Sequence, residues 1–268
     1  MRKVSVLIPT YRPKDYLLKC LESLDKQVLD KSHFRVYIGL NGEQFPFENF
    51  VLDVLSEFSF DYEYFYICEA GVSNARNFLI NRSGEDYIVF IDDDDLVSPT
   101  YLKELLEVST QEILGISNIY NFESDLSLLK NNYIGLSFNE IKQFEKSKYK
   151  ARKYFSSPCA KMIHRDMIGG YRFDPKVAKG EDSLFMALIS PNIKALNKTS
   201  INACYYVYER PGSTTRTKNK KMVEIETLNY LFLQYLKLFF NPKYKTVFIM
   251  TRMLATVKKY IQLFGNIK

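Results

Sequence analysis

One stretch constrains this chain more than any other: Tyr87-Ile-Val-Phe-Ile91, followed at once by Asp92-Asp-Asp-Asp95. The first five residues are β-branched and aromatic with no polar alternation. That is the pattern of a strand covered on both faces, as in a parallel α/β sheet. Four consecutive carboxylates at the end of such a strand repel one another unless a cation sits among them. The carboxyl end of a strand is also where open α/β sheets hold ligands. The stretch therefore reads as a divalent-cation site, the plainer alternative being a solvated acidic turn in which Asp95 helps to cap the next helix. Ser98-Pro99 opens that helix, with a hydroxyl at the N-cap and proline at the first helical position.

The residues upstream tell what sheet this strand joins. Val4 to Ile8 is a short apolar strand that ends at Pro9-Thr-Tyr-Arg-Pro13, and Leu17, Leu18, Leu21 and Leu24 then follow at helical spacing. Phe34 to Leu40 is a second strand closed by the turn signal Asn41-Gly42, and apolar residues from Phe50 to Phe58 make a second helix. Tyr62 to Ile67 is a third strand, and Val72 to Ile80 a third helix. Strand–helix alternation three times over predicts a parallel sheet with right-handed crossovers. Neither a Walker-type glycine loop nor a dinucleotide glycine fingerprint follows the first strand, so a nucleotide would be held in some other way.

Downstream the pattern is looser. Residues 100–110 read as a helix and Ile113 to Phe122 as one strand, while Ser124 to Lys150 is polar, with a helix beneath a loop as the expectation. Cys159 to His164 and Cys204 to Tyr208 are strands, and a short helix over 182–190 opens with Glu181-Asp182. The rest is helical. Val247, Met250, Leu254, Val257, Ile261 and Phe264 alternate spacings of three and four, a single apolar stripe. Leu228 to Phe240 is apolar on most sides and should pack on the domain or on a bilayer.

Composition and charge add four constraints. With 46% apolar and 25% charged residues, a 268-residue chain can bury a sizeable core as one α/β domain, with or without an appended module. The four cysteines are widely spaced, which suits buried thiols rather than a disulfide frame or a zinc site. The first strand begins at Val4 and no apolar run is long enough to span a bilayer, so a cytoplasmic protein is expected, peripheral at most on the inner face of the membrane. The net charge of +6 is uneven: residues 216–268 hold eleven Lys or Arg against Glu224 and Glu226, and the rest of the chain is slightly acidic. A basic tail can serve nucleic acid, an anionic membrane face or an acidic partner; of these, nucleic acid is not the expected partner.

Three polar clusters follow strands or open helices: Asp92 to Asp95, Ala75-Arg-Asn77, and Glu181-Asp182. All three can face one edge of the sheet. A hard divalent ion on Asp94, with Asp92 nearby, would take a diphosphate as its companion. Asp182 would be the isolated carboxylate able to accept a proton from an incoming hydroxyl. Such a pair suffices for direct displacement at a carbon bearing a nucleoside diphosphate, with inversion at that carbon.

At this point the chain resembles a known family. Val4-Ser-Val-Leu-Ile-Pro-Thr-Tyr11, Gly71-Val-Ser-Asn-Ala-Arg-Asn77, Phe90-Ile-Asp-Asp-Asp-Asp-Leu96 and Gly180-Glu-Asp-Ser-Leu-Phe185 are similar, in order, to the signatures of family 2 inverting glycosyltransferases of the bacterial surface-polysaccharide type. The resemblance implies a GT-A fold, with a mixed, mainly parallel sheet flanked by helices over residues 1–216 and a basic amphipathic helical extension over 217–268. It implies a nucleotide sugar, usually a UDP-sugar, as donor, with Mn2+ or Mg2+. By position, Asp92 and Asp94 would be the DxD pair, Asp94 the metal ligand, with Asp93 assisting. Pro9, Thr10 and Tyr11 would line the nucleoside pocket, and Arg76 would reach the base. Asp182, beside Glu181, would be the catalytic base. Arg210, Ser213 and Arg216 fall on a loop that in such enzymes closes over the diphosphate.

One departure stands out. Many relatives carry an Asp after the second strand that reads uracil, and Asn41 occupies that turn here, able to offer an amide instead. Outside the clusters, His33 and His164 are expected to be structural, and Lys161 and Arg165 to lie on a solvated face, the alternative being contact with the acceptor. The expected activity is sugar transfer to a hydroxyl of a growing, lipid-linked bacterial glycan. The C-terminal stripe would lie on the membrane or form a homodimer seam. The alternatives are a sugar nucleotidyltransferase, which would want a glycine-rich loop after the first strand, and an inactive transferase-like module that binds sugar or membrane.

Overall fold

The computed structural model of the protein describes residues 4–210 and 221–264. Strand β1 (Val4–Thr10) is buried along its whole length, and helix α1 (Tyr16–Asp25) buries Leu17, Cys20, Leu21 and Leu24 in the same core. The next two units repeat this pattern, with β2 (Phe34–Asn41), α2 (Phe47–Leu55), β3 (Tyr62–Ile67) and α3 (Val72–Arg82). They lead into β4 (Tyr87–Phe90), all four residues of which are buried. Strands β3, β2, β1 and β4 lie side by side and parallel, with Val4 opposite both Phe34 and Tyr87. The apolar run that closes at Phe90 is therefore covered on both faces, as its composition requires.

After the aspartates comes β5 (Leu96–Val97), then α4 (Tyr101–Val108). Ser98 does not cap α4. Its hydroxyl instead accepts the N–H of Cys204 at 2.8 Å, and the first helical residue is Tyr101. A distant side chain serves the free N–H of Leu102: Gln27 accepts it at 2.9 Å and donates to the Ser98 carbonyl at 2.8 Å. Asp95 takes no part in capping, since its carboxylate accepts the N–H of Tyr208. Gln27→Ala should lower stability by roughly 1–3 kcal/mol, the cost of leaving buried amides unsatisfied, and urea unfolding would read the loss. An unchanged midpoint would mean that water replaces the amide.

The expected strand from Ile113 to Phe122 is two strands in two sheets, β6 (Ile113–Ile116) and β7 (Asn118–Phe122). The chain changes sheet at Ser117, which is fully buried and donates its hydroxyl to the Asn118 and Ala160 carbonyls. No long helix fills the polar stretch that follows. It holds β8 (Lys130–Asn131), a short 3-10 turn and β9 (Phe144–Glu145). Strand β10 (Lys161–His164) runs antiparallel between β4 and β6. Helices α5 (Arg165–Ile168) and α6 (Glu181–Ile189), then β11 (Ala195–Lys198) and β12 (Cys204–Tyr208), complete the α/β part. The large sheet has the order β3-β2-β1-β4-β10-β6-β11-β9, and the small one β5-β12-β7-β8. β12 pairs with the two residues that follow the aspartates, so the small sheet borders the acidic turn.

Lys161 and Arg165 are not on a solvated face. Lys161 is fully buried and donates to the Ser157 and Cys159 carbonyls, both at 2.5 Å, while Arg165 donates to Glu85, Ile80 and Ser83. Three cysteines are buried free thiols, but Cys68 is exposed. The last two helices, α7 (Lys221–Phe239) and α8 (Thr246–Phe264), add Leu231, Tyr235, Leu238, Phe248 and Ile249 to the same core as the sheet. No helix among the described residues is long and apolar enough to cross a membrane.

Candidate active site

The four aspartates leave β4 in four directions, and each meets a different partner. Asp92 accepts from Arg76 Nη2 at 2.8 Å, and Asp93 accepts from the Thr10 hydroxyl. Asp94 contacts Arg210 Nε at 2.5 Å as an ion pair, and Asp95 accepts from the Tyr208 N–H at 2.8 Å. Asp93 and Asp95 are buried, whereas the side chains of Asp94 and Asp92 are 15% and 42% exposed. Two carboxylates are thus spent on holding the turn to β1 and β12, and two face outward. Burial, then repulsion from Asp94, pushes the Asp93 carboxyl up to about 7. Burial first, then Asp92, raises Asp94 and Asp95 as well. Burial and mutual repulsion thus disfavour full ionisation of the turn, and Arg76 and Arg210 are the cations paired with it.

Arg76 joins this turn to the other acidic cluster. It lies on the buried face of α3 and is 3% exposed, with Nη2 on Asp92 and Nη1 donating to Asp182 at 2.5 Å. Its guanidinium is therefore engaged between two carboxylates and, in this arrangement, does not reach outward toward a base. Beneath it lies the ring of Phe173, 5.3 Å away, which stacks on Phe185 of α6. Asn77, one residue further along α3, fixes Phe173 by donating to its carbonyl and accepting its N–H, both at 2.8 Å. The polar triplet Ala75-Arg-Asn77 marked this place in sequence, but nothing in it distinguished the clamp from the cation.

Asp182 sits in the first turn of α6, where the helix dipole favours an acid. Gly180 sets it there. Its φ of 98° is left-handed, and a β-carbon would come within 2.9 Å of a Leu231 methyl on α7, so the turn favours glycine. Burial raises the Asp182 carboxyl despite Arg76, which pulls the other way, and burial followed by the Asp182 charge brings neighbouring Glu181 up to about 7. Asp182 uses Oδ1 for Arg76, and its Oδ2 makes no hydrogen bond among the described residues. A carboxylate of raised basicity with one free oxygen can take a proton.

The remaining residues singled out in sequence divide sharply. Thr10 is buried, Pro9 lies within β1, and Tyr11 is half exposed. The Tyr11 ring lies over Gly42 (φ 84°), where a β-carbon would press on it and on Ala70 at 3.0 Å. Asn41 is buried and its amide is used up locally. It donates to the Thr10 carbonyl at 2.7 Å and accepts the Gly71 N–H at 2.9 Å, which ties β1 to the start of α3. It does not offer an outward amide. Ser213 and Arg216 lie outside the described residues. Sequence reasoning passed over Tyr16, Lys14, Lys19 and Tyr208, which line a cavity of about 200 Å3 beside Asp94. The Tyr16 ring also carries Arg210, whose guanidinium carbon lies 4.9 Å from its centroid. Lys14 and Lys19 flank the first strand's exit by four or more residues, a spacing with no signature of its own.

Among the described residues no three acidic, His or Cys side chains converge into a closed metal cage. The donor set at Asp94 and Asp92 still fits Mg2+ or Mn2+. Hard oxygens on one or two carboxylates, completed by substrate phosphates, are how such ions are ordinarily held.

Residues 5–171 match the profile of Glycosyl transferase family 2. Glycosyltransferase GlyA of Streptococcus pneumoniae serotype 4 is 28% identical over 82% of this chain and 32% of its own length. Poly(ribitol-phosphate) beta-N-acetylglucosaminyltransferase TarS of Staphylococcus aureus is 22% identical over 79% of this chain and 36% of its own. The chain thus spans about a third of the length of these curated relatives. Residues 1–349 of S. aureus TarS, solved in complex with UDP-GlcNAc, superpose with a TM-score of 0.76 and 17% identity over 97% of this chain and 73% of that one. A mannosyltransferase from Pyrobaculum calidifontis, solved with GDP-Man and Mn2+, gives 0.62 and 10% over the whole of this chain and 77% of that one. The fold is GT-A, and the chain belongs to glycosyl transferase family 2.

Proposed function

We propose that this chain transfers a sugar from a nucleoside-diphosphate donor, a UDP-sugar, to a hydroxyl of a lipid-linked bacterial glycan, with inversion. One observation carries the reading: a single buried arginine, Arg76, bonds both Asp92 at the end of β4 and Asp182 at the start of α6. Leaving-group side and proton acceptor are then one guanidinium apart, as direct displacement requires. Residues 1–216 form the catalytic part in this reading, and 217–268 an extension that supports it.

Asp94, with Asp92, would hold Mn2+ or Mg2+. Such an ion, when bound, stabilises charge on a departing diphosphate. Tyr11 offers an aromatic face to the base, Thr10 and Asp93 set the floor beneath it, and Lys14, Lys19 and Arg210 supply cations beside Asp94 for the phosphates. Asp182 takes the acceptor hydroxyl's proton through Oδ2. The oxygen–carbon bond to the acceptor forms as the carbon–oxygen bond to the diphosphate breaks, so no second nucleophile is called for and the anomeric centre inverts.

Thermal unfolding with UDP, GDP and their sugars, each with and without Mn2+, tests this directly. A metal-dependent rise with one nucleotide is the expected result. Asp94→Asn should remove the metal-dependent part of that rise and leave the apo transition close to that of the parent. A metal-dependent shift that survives in the variant would take Asp94 out of the site.

A further inference from the structure

Helix α8 turns its apolar stripe away from the protein. Its buried face is made of Phe248, Ile249, Arg252 and Thr256, while Val247, Met250, Leu254, Val257, Ile261 and Phe264 are 40–61% exposed. A 19-residue helix is about 28 Å long at 1.5 Å per residue, and six large apolar side chains lie along its outer side. Monomeric proteins seldom leave such a surface uncovered.

Charge indicates what covers it. From Thr227 to Phe264 the sequence has six Lys or Arg and no Asp or Glu. Lys258, next to Val257, borders the stripe, and Lys243 and Lys245 stand exposed just before the helix. A second copy of the helix laid on this stripe would bring like charges together with no carboxylate of this segment between them. An anionic lipid surface accepts both features at once: the apolar side chains enter the acyl boundary and the lysines reach the headgroups.

We propose that α8 lies in the plane of an anionic membrane with this stripe buried in it. The opposite face of the same helix touches the candidate site. Arg252 donates to the Ser183 hydroxyl at 3.3 Å, and Ser183 follows Asp182 in α6. Tyr235 of α7 bonds the same hydroxyl at 3.1 Å. The lipid surface is then about one helix diameter, roughly 10–12 Å, from the residue beside the proton acceptor. Docking would deepen the transferase reading by bringing a lipid-linked hydroxyl to Asp182. Its test reads lipid binding and not turnover, so the two can fail separately.

The test is flotation of the full chain with vesicles of phosphatidylcholine alone, or of equal parts phosphatidylcholine and phosphatidylglycerol. Binding to the second, weakened by salt, with little to the first, is the expected result. Leu254→Asp and Ile261→Asp should each lower the partition coefficient at least about tenfold. Both positions are more than half exposed, so the thermal transition should not move. Lys258→Glu with Lys245→Glu should remove the dependence on phosphatidylglycerol. Three results would overturn the proposal: no flotation of the parent chain, flotation unaffected by the stripe variants, or a dimer in light scattering that Leu254→Asp dissociates.

Discussion

Asp182→Asn is expected to lower the transfer rate by two to four decades, the usual worth of a positioned general base, and to leave donor binding unchanged. The amide keeps the size of the carboxyl and can still accept from Arg76, so the bridge between α3 and α6 survives. What is lost is the free oxygen that receives the proton. The effect should fall on the rate constant at saturation and not on the donor affinity, because the interaction is made only as the acceptor loses its proton. Glu181→Gln is the internal control. Glu181 shares the turn and has its own carboxyl pushed up to about 7 by burial and by Asp182, yet it makes no bond to Arg76. It should cost far less than Asp182→Asn. Equal losses at the two positions would assign the proton to the pair; full activity in Asp182→Asn would remove it from the reaction. Parent activity should also fall as pH drops through the carboxyl's raised range, above the ordinary aspartate value of about 3.9, and that limb should vanish from the residual activity of the variant.

The parts of this site that were legible in sequence are those set by local pattern. Tyr87 to Ile91 reads as a doubly covered strand, formed over Tyr87–Phe90 in the structure, and the aspartates follow it at the sheet's carboxyl edge. The three preceding strand–helix units were equally plain, because each apolar period ends in a turn signal. Contacts between distant residues were not legible. Arg76 and Asp182 are 106 residues apart, and nothing near Arg76 says that two carboxylates will close on it. Asn41 looked free for a base because the sequence does not show the Thr10 carbonyl and the Gly71 N–H converging on its amide. Ile113 to Phe122 is continuous in pattern, and only the tertiary bond from Ser117 to Ala160 explains the change of sheet. Lys161 reads as a solvated lysine, as lysines ordinarily are, because the sequence does not show the two carbonyls that hold it inside. In α8 the period was visible but not its direction, since Phe248 and Ile249 supply a second apolar face that won the contact with the core.

Removing the cation of this site should be more damaging to the fold than removing either acid. Arg76→Met is expected to lower stability by about 3–5 kcal/mol, the cost of breaking a buried pair from one side. Packing alone does not account for a loss of that size, since methionine covers Phe173 much as the arginine stem does. The sign of the pH dependence separates charge from packing. Asp182 and Glu181 are already raised by burial in the parent, so between their unfolded and folded values the native state holds protons that the unfolded chain has released. Stability from these groups therefore declines as pH rises across that window. Without Arg76 the folded carboxyls become harder still to ionise, and the window widens upward. The deficit of Arg76→Met relative to the parent should be largest above the raised range of these carboxyls, where Glu181 stands at about 7, and should shrink as the pH is lowered through it, where protonation replaces the missing charge. Adding Asp182→Asn to Arg76→Met should restore part of the loss, a coupling that a double-mutant cycle in urea would measure. Arg76→Lys keeps a charge but not the fork that reaches two carboxylates at once, and should fall between the two. A deficit that stays constant with pH, with no rescue by the second substitution, would mean that Arg76 is held by Phe173 and not by the acids it joins.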